Sequence, residues 1–382
     1  MERFSFLEKQ SLQNMVVMLV DFDYFFAQIE EKRNPSLKDT PVVVCVYSGR
    51  SESSGAVSTA NYLAREYGVK SGMPIVSAKK KLEGIESAFL PVDHGFYDQV
   101  SDEVMTILRA YADRFEQVGI DEAYLDVSRK TEGRFEKAEE LAQNIKIDIS
   151  NQEKLTCSIG IGPNKLIAKI AADSQKPDGL TVVKPERVES FLSPLPVSRL
   201  IGVGAKTREK MEGLGIVTVG ELAVYDVHKL TAVFGKTLGA YFHDAALGRD
   251  DEPVQERGEA ESISRISTLK ENTRDLNVIL EKTDKLCEDV HAALVRRGFS
   301  FRSVGIVMVM VDMSIRSRSD TLEIPTSDLD VLKKTVRTLF ERFLNESQLE
   351  MRRVGVRVSN LASEERKQQQ ITSFTDSNVN RK

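Results

Sequence analysis

The stretch Val16-Val17-Met18-Leu19-Val20-Asp21-Phe22-Asp23-Tyr24-Phe25-Phe26 decides how the rest of the chain is read. Five apolar residues run directly into a carboxylate, the pattern of a buried strand that ends in an acid. Such a strand fixes its last residue, so Asp21 stands at a defined point on the rim of a sheet. An ionised carboxylate there is costly unless a positive group meets it. A metal ion is one answer. The simpler answer is a helix cap, because Asp before a helical run is an ordinary N-cap. Taken alone, the stretch favours the cap, and the remaining sequence has to decide.

The chain has 382 residues, 41% hydrophobic and 29% charged, which is ordinary for a globular protein. That length gives a prior of about two to four domains with ample cores. Cys45, Cys157 and Cys287 are odd in number and far apart. They form neither a disulfide framework nor a zinc spacing, so a reducing, cytoplasmic setting is the default. The four histidines are scattered, which argues against a His-rich metal site. Residues 1–14 carry Glu2, Arg3, Glu8 and Lys9 and lack the apolar core of a signal peptide. No apolar run is long enough to span a bilayer, so no membrane partner is expected. The net charge of −5 gives no hint of nucleic acid, although a binding surface needs only a local positive stripe.

Along the chain, Tyr24 to Arg33 reads as a helix closed by Asn34-Pro35. Pro41 to Val46 reads as a second buried strand and Ser48 to Gly55 as a polar loop. Ala56 to Tyr67 reads as a helix ending at Gly68, and Ile75 to Leu82 as a short basic helix. Gly95 to Phe115 reads as a long helix. Glu116 to Ser128 reads as two short strands folded around Gly119-Ile120-Asp121-Glu122. Helix, strand and helix follow over Phe135 to Ser150, Leu155 to Ile161 and Lys165 to Ala172. From Pro185 the texture is of small helices. Gly248 to Gly258 is charged and poor in apolar residues, a linker pattern. Ser262 to Ser359 reads strand, helix, strand, strand, helix, strand, a compact unit of the split βαβ kind. From Ser363 the chain has no core-forming pattern.

Several constellations carry chemistry. Asp121-Glu122 lies at the tip of the hairpin between apolar flanks. If that hairpin pairs beside the first strand, Asp21, Asp121 and Glu122 converge. Hard divalent cations such as Mg²⁺ favour oxygen sites of this kind and complete their shells with phosphate oxygens. Two such ions roughly 3.5–4 Å apart clamp both oxygens of an in-line phosphoryl transfer. Asp23 and Asp126 read as structural, Asp23 because it suits capping. Thr59, Tyr62 and Arg65 fall on one stripe of the Ala56 to Tyr67 helix, and two hydroxyls with a guanidinium suit a polyphosphate. An ordinary exposed helix face is the competing reading. Lys176 sits in a turn before Pro177, either exposed or serving as a point charge for a phosphate.

Gly202-Val203-Gly204, between short helices, resembles a helix-hairpin-helix turn whose backbone N–H groups meet a DNA phosphate. Gly204-Ala205-Lys206-Thr207 is not a Walker A loop, because Ala205 stands where that motif needs glycine. Residues 260–360 hold 17 Lys/Arg and 15 Asp/Glu, so this unit is positive within an acidic chain. Ser314, Arg316 and Arg318 share one face of a strand, and Arg353 and Arg357 one face of another, with Arg352 opposite. A sheet face of Arg and Ser can bind phosphates along a duplex. In the tail, Gln368, Ile371 and Phe374 have the spacing of a short helical plug for a hydrophobic pocket.

The motifs Val20 to Phe26, Ser58 to Arg65, Ile120 to Asp126 and Lys169-Ile170-Ala171-Ala172-Asp173 together resemble the Y-family translesion DNA polymerases, in the DNA polymerase IV branch. The loop Ser48 to Gly55 is similar to that of archaeal members. The resemblance runs in order from about Val16 to Ser359 and rests on four separated motifs. It implies an α+β multidomain right hand. The palm would be 1–24 and 91–182, with 1–14 an extension of no assigned role, and the fingers 25–90. The thumb, with its helix-hairpin-helix, would be 183–249 and the linker 250–259. A split βαβ little finger would occupy 260–360 and a tail 361–382.

The resemblance further implies that Asp21, Asp121 and Glu122 are catalytic and bind two Mg²⁺ ions, helped by the backbone carbonyl of Phe22. Thr59, Tyr62, Arg65 and Lys176 would hold the triphosphate of a dNTP. Phe26 would be the steric gate against a ribose 2′-hydroxyl. Gly202, Gly204, Lys206, Arg316, Arg318, Arg352, Arg353 and Arg357 are the candidate contacts to primer–template DNA. The tail resembles a sliding-clamp-binding box that departs from the pattern at Thr375, where a second aromatic is usual. The implied protein is a monomeric, low-fidelity polymerase without a proofreading domain. Two other readings compete: a DxD sugar-nucleotide transferase using Asp21-Phe22-Asp23, and a non-catalytic DNA-binding scaffold recruited by the clamp.

Overall fold

The computed structural model describes residues 15–256, 258 and 261–363. The extension 1–14 and the box Gln368, Ile371 and Phe374 lie outside the described residues. The elements begin with β1 (Val17–Phe22), α1 (Phe25–Arg33), β2 (Val42–Tyr47), β3 (Gly55–Ala60), α2 (Tyr62–Glu66), α3 (Ile75–Lys81), β4 (Ala88–Pro91) and α4 (His94–Tyr111). Next come β5 (Arg114–Gln117), β6 (Glu122–Asp126), α5 (Phe135–Glu153), β7 (Cys157–Gly162), α6 (Lys165–Ala172) and β8 (Leu180–Val182). Five helices follow, α7 (Val188–Leu192), α8 (Ala205–Gly213), α9 (Val219–Ala223), α10 (Val227–Phe234) and α11 (Lys236–Ala246). The last elements are β9 (Ser262–Thr273), α12 (Leu276–Arg296), β10 (Phe299–Met310), β11 (Ile315–Thr326), α13 (Leu329–Glu346), β12 (Met351–Ser359) and β13 (Ala362–Ser363). The chain divides into two compact units, Met1–Val44 with Thr59–Lys70 and Gly84–Arg257, and Cys45–Ser58 with Ser71–Glu83 and Gly258–Lys382.

In the first unit β1 is the middle strand of a five-stranded sheet, order β5-β6-β1-β7-β8. Both faces of a middle strand are covered, which is why its sequence is apolar without alternation. Met18, Val20 and Phe22 pack with Tyr97, Val104 and Leu108 of α4 and Ile145 and Ile149 of α5. Val17 and Leu19 point the other way, onto Tyr124 and onto Ala168 and Ala172 of α6. By the same alternation Asp21 faces α6. That helix lies very close to β7: a Cβ on Gly160 would stand 2.1 Å from the Ala168 carbonyl oxygen, so only glycine fits there. The helices α7 to α11 gather around Met211, Leu222, Leu230 and Phe242.

Three sequence expectations are corrected here. Neither Asp21 nor Asp23 caps α1: its N-cap is Tyr24, at φ 36, and no side chain bonds that end. The helix expected over Ala56 to Tyr67 is instead the strand β3 followed by the five-residue α2. Val57 and Thr59 are β-branched, and Asn61 halts the strand by capping α2, its side chain accepting from Ala64 N–H. The expected linker includes residues 250–256. Residues 250–256 have no regular structure, yet they are strapped to the sheet. Val254 is 2% exposed, Asp250 accepts from Leu166 N–H at 2.9 Å, and Glu252 meets Lys165 at 2.9 Å. The third correction is the long helix expected to run to Phe115: α4 ends at Tyr111, leaving Phe115 to β5.

The second unit contains a sheet of order β11-β10-β12-β9, with β13 pairing β10. Its element order is that read from the sequence. Helices α12 and α13 cover one face, where Val304, Ile306, Met308, Val354, Val356 and Val358 meet Ile279, Val290, Leu332 and Phe340. Between Met351 and Arg353 the pairing with β9 slips. Arg50 satisfies the carbonyl of Leu269 at 2.7 Å and the side chain of Asn272 at 2.8 Å in the strand that bulges there.

Candidate active site

The site grows from the pairing of β1 with β6. Asp21 sits opposite Glu122 in that antiparallel ladder and opposite Ser158 in the ladder with β7. Directly paired residues share a face, so both carboxylates face α6. Asp121 is in the turn before β6, and its carbonyl accepts from Phe22 N–H at 2.9 Å. Ser101, buried on α4, bonds the neighbouring carbonyl of Ile120 at 2.5 Å and fixes the turn from below.

Two lysines meet these acids. Lys169 Nζ lies 3.0 Å from Asp21 Oδ2 and 2.6 Å from Glu122 Oε2. Lys176 Nζ lies 2.7 Å from Asp21 Oδ1 and 3.2 Å from Asp173. Burial alone would lower both ammonium pKa values, but Asp21 foremost, with Glu122 for Lys169 and Asp173 for both, raises them above the ordinary lysine value. Asp121 shifts as an acid crowded by acids should. Burial, and then the charges of Asp21 and Glu122, push its carboxyl up to about 6. A carboxylate cluster of this kind fits a divalent ion, whose charge would remove the repulsion. In the present side-chain arrangement, among the described residues, no three acidic, His or Cys groups stand ready-made around an ion. The ammonium of Lys169 lies between Asp21 and Glu122 instead.

Asp23 has different work. It is 1% exposed and accepts from Thr156 Oγ1 at 2.9 Å, Ser158 Oγ at 2.7 Å and Asp178 N–H at 2.8 Å. It therefore pins the loop that carries Lys176. It is structural, as the sequence suggested, but through this loop rather than a helix end.

Tyr62 stands beside this group. Burial, and then the charge of Asp23, raise its phenol, while Arg65 and Lys176 oppose them. The Arg65 guanidinium lies over the Tyr62 ring at 4.7 Å, and Arg65 Nε donates to Ala60 O at 2.8 Å. Tyr62, Arg65 and Lys176 thus gather near Asp21. Thr59 is half-buried on β3, so the three-residue helical stripe does not exist. Phe26 is stacked on Tyr97, centroids 4.4 Å apart and planes 20° from parallel. Tyr97 is fully buried, and its hydroxyl donates to Glu30 at 2.6 Å.

Sequence reasoning missed Lys169 as a partner of the acids. The spacing of Lys165 and Lys169, four apart on an otherwise apolar helix, puts both on one stripe and was the available signal.

In the second unit the basic residues divide between faces. Arg353 pairs with Val309, Arg357 with Gly305, and Ser317 and Ser319 with Val307 and Gly305. These lie on the open face, where Ser317, Ser319, Arg357 and Ser359 line a hollow of about 520 Å³. Arg316 pairs with Met308 and Arg318 with Ile306, both fully buried under the helices. Arg318 is engaged there by Glu346 at 2.7 Å and by the Phe343 ring. Arg316 and Arg318 therefore lie on the side of the sheet opposite Arg353 and Arg357. Arg352 is an extra residue between the Met310–Met351 and Val309–Arg353 pairs, a bulge that breaks the alternation expected there. In the first unit Gly202 adopts φ +85, a conformation that favours glycine, and Gly204 precedes α8, with Lys206 exposed on its first turn.

A sequence profile of the impB/mucB/samB family matches residues 20–173, that of its C-terminal domain residues 260–373, and that of its HHH motif residues 185–216. The chain is 48% identical over 364 residues to DNA polymerase IV of Nitrosopumilus maritimus, covering 95% of this chain and 100% of that one. The chain belongs to the impB/mucB/samB family, the Y-family DNA polymerases. Among solved structures, the polymerase matches the Y-family DNA polymerase chimera Dbh-Dpo4(243-245)-Dbh at a TM-score of 0.86 and 37% identity, over 92% of this chain and 100% of that one. It matches the insertion ternary complex of Dbh DNA polymerase at a TM-score of 0.68 and 36% identity, again over 92% and 100%. Y-family polymerases use divalent metal ions. Among the described residues of this polymerase no helix is long and apolar enough to cross a membrane.

Proposed function

We propose that this polymerase carries out template-directed, low-fidelity translesion synthesis, joining a dNTP to a primer 3′-hydroxyl with loss of pyrophosphate. The observation that carries the reading is the meeting of Asp21, Asp121 and Glu122 at one end of the β1–β6 pair, with Tyr62, Arg65 and Lys176 beside them. Two Mg²⁺ ions, held by the three carboxylates and the Phe22 carbonyl, would supply charge stabilisation to the attacking and leaving oxygens. The protein's own share is mostly positioning. Arg65 offers a fork of donors to the triphosphate, Tyr62 a hydroxyl and Lys176 a point charge, with Thr59 a further hydroxyl from β3. Phe26, backed by Tyr97, presents a ring under the sugar that leaves no room for a 2′-hydroxyl.

The domain limits given by the family resemblance are part of this reading. So are DNA contacts from Gly202, Gly204 and Lys206 and from Arg352, Arg353 and Arg357. A monomer recruited to a sliding clamp through Gln368, Ile371 and Phe374 completes it, and deleting residues 368–382 should abolish clamp stimulation while sparing basal synthesis. The DxD reading is disfavoured because Asp23 spends its acceptors on Thr156, Ser158 and Asp178. Primer extension on a templated duplex with Mg²⁺ and dNTPs tests the proposal. Extension by the intact chain and none by Asp121→Ala is expected. Extension by Asp121→Ala, as a scaffold reading requires, or none by the intact chain, would sink it.

A further inference from the structure

We propose that Glu31 is a positioning residue for the incoming nucleotide, tying the helix that carries Tyr62 and Arg65 to the tyrosine that buttresses Tyr62. This rests on the reading of Tyr62 and Arg65 as phosphate-binding groups. The helix α2 has five residues, too few to hold its own shape without outside support. Its support is Asn61, which is 2% exposed and uses its full hydrogen-bonding capacity. Asn61 Oδ1 accepts from Val42 N–H and Ala64 N–H, both at 3.0 Å. Asn61 Nδ2 donates to Thr40 O and to Glu31 Oε1, both at 2.8 Å.

The other Glu31 oxygen faces Tyr24. The Tyr24 hydroxyl donates to Glu31 Oε2 at 3.2 Å. Burial, and then the charge of Glu31, raise the Tyr24 pKa, so the phenol stays a donor. The Tyr24 ring in turn meets the Tyr62 ring edge-on, centroids 5.3 Å apart. The ring of contacts is closed: Glu31, Asn61, Tyr62, Tyr24 and back to Glu31. One carboxylate thus sets both the start of α2 and the ring against which Tyr62 leans, without being one of the phosphate-binding groups. Glu31 also borders a polar hollow of about 280 Å³ lined by Gln28, Lys38 and Thr156. Truncating it therefore enlarges a space water can fill instead of leaving a dry void.

The test is steady-state single-nucleotide insertion, with thermal melting alongside. Glu31→Ala should raise the KM for dNTP by about tenfold while kcat and primer–template affinity stay within about twofold, the loss of one charge-assisted tie. Glu31→Gln keeps an acceptor for Asn61 and can donate to the Tyr24 oxygen, so it should return KM to within about threefold of the parent. Tyr24→Phe, which removes one hydroxyl and little else, should raise KM in the same direction. A Glu31→Ala protein that melts earlier yet keeps its KM within about twofold overturns the proposal, and so does an equal rise in Glu31→Gln. Arg65→Ala serves as the comparator. If it raises KM while Glu31→Ala does not, the nucleotide site stands and this inference falls. If Arg65→Ala leaves KM unmoved, the reading of the nucleotide site itself fails.

Discussion

Replacing Lys165 with Met asks how strongly the strap 250–256 is held. The Lys165 and Glu116 side chains are each 7% exposed and lie 2.9 Å apart. Lys165 also meets Glu252, which is 67% exposed, at 2.9 Å, and lies over the Tyr124 ring. Burial would depress the Lys165 ammonium, but the bonds from Glu116 and Glu252 outweigh it and its pKa rises. Removing the lysine strands the Glu116 carboxylate, whose remaining donor among the described residues is Gln255 N–H at 3.3 Å. Breaking a buried pair from one side costs about 3–5 kcal/mol. That remaining donor argues for the lower end, about 3 kcal/mol. In a unit of about 230 residues this lowers the melting midpoint by about 9 °C. The exposed Glu252 arm adds little. Differential scanning calorimetry of Lys165→Met, Glu116→Leu and the double variant measures the effect. The double variant should recover most of the loss, because an apolar pair of similar volume replaces a buried ion pair at little cost. A Lys165→Met midpoint within about 2 °C of the parent, or a double variant no better than the single, would falsify the account of the strap.

Three further outcomes are expected. Arg357→Ala should weaken duplex binding and lower the slope of log affinity against log salt by about one, while Arg318→Ala, on the helix side, should leave both within error; fluorescence anisotropy at several salt concentrations reads this. Asp121 has its folded pKa raised to about 6 from 3.8. Its protonation stabilises the metal-free fold fully below the unfolded value, and that contribution is lost as pH rises through about 6. Protons must leave for metal to bind, so Mg²⁺ half-saturation should be about tenfold higher at pH 5 than at pH 7, with Asp121→Asn losing this dependence; calorimetric titration in two buffers checks both. Phe26→Ala should raise rNTP insertion relative to dNTP by about a hundredfold in single-nucleotide assays, and unchanged discrimination would count against the gate.

Much of the site was legible because it hangs on buried strands. An apolar run ending at Asp21 and a hairpin tip with apolar flanks at Asp121-Glu122 point to one rim, and the β1–β6 register joins them. The unit from Ser262 to Ser359 was legible because its helices and strands differ clearly in period. Ala56 to Tyr67 was not, since small residues and a single turn of helix satisfy both periods over so short a stretch. Nor was the facing of Arg316 and Arg318. Along β11 the alternate sets Ile315, Ser317, Ser319 and Arg316, Arg318, Asp320 are both mostly polar, so nothing in the strand says which side the helices cover. That is settled by the strand's partners, Ile306 and Met308, which lie elsewhere in the sequence.

The two lysines explain how three acids can share one rim before any ion or nucleotide arrives. Asp21, Asp121 and Glu122 would together place three negative charges in a space that is mostly buried, a cost no strand would tolerate alone. Lys169 offsets Asp21 and Glu122, and Lys176 offsets Asp21 a second time, which leaves Asp121 outside the ion pairs among the described residues, with Lys176 only partly offsetting its charge. Its pKa is raised accordingly. The lysines also differ in freedom. Lys169 projects from the packed helix α6, held close to the sheet by Gly160, while Lys176 sits on a loop pinned by Asp23. On the proposed reading of Lys176, a triphosphate would draw it from Asp21 by moving one side chain, so the group that steadies the metal-free site would also be the one most easily given up to substrate.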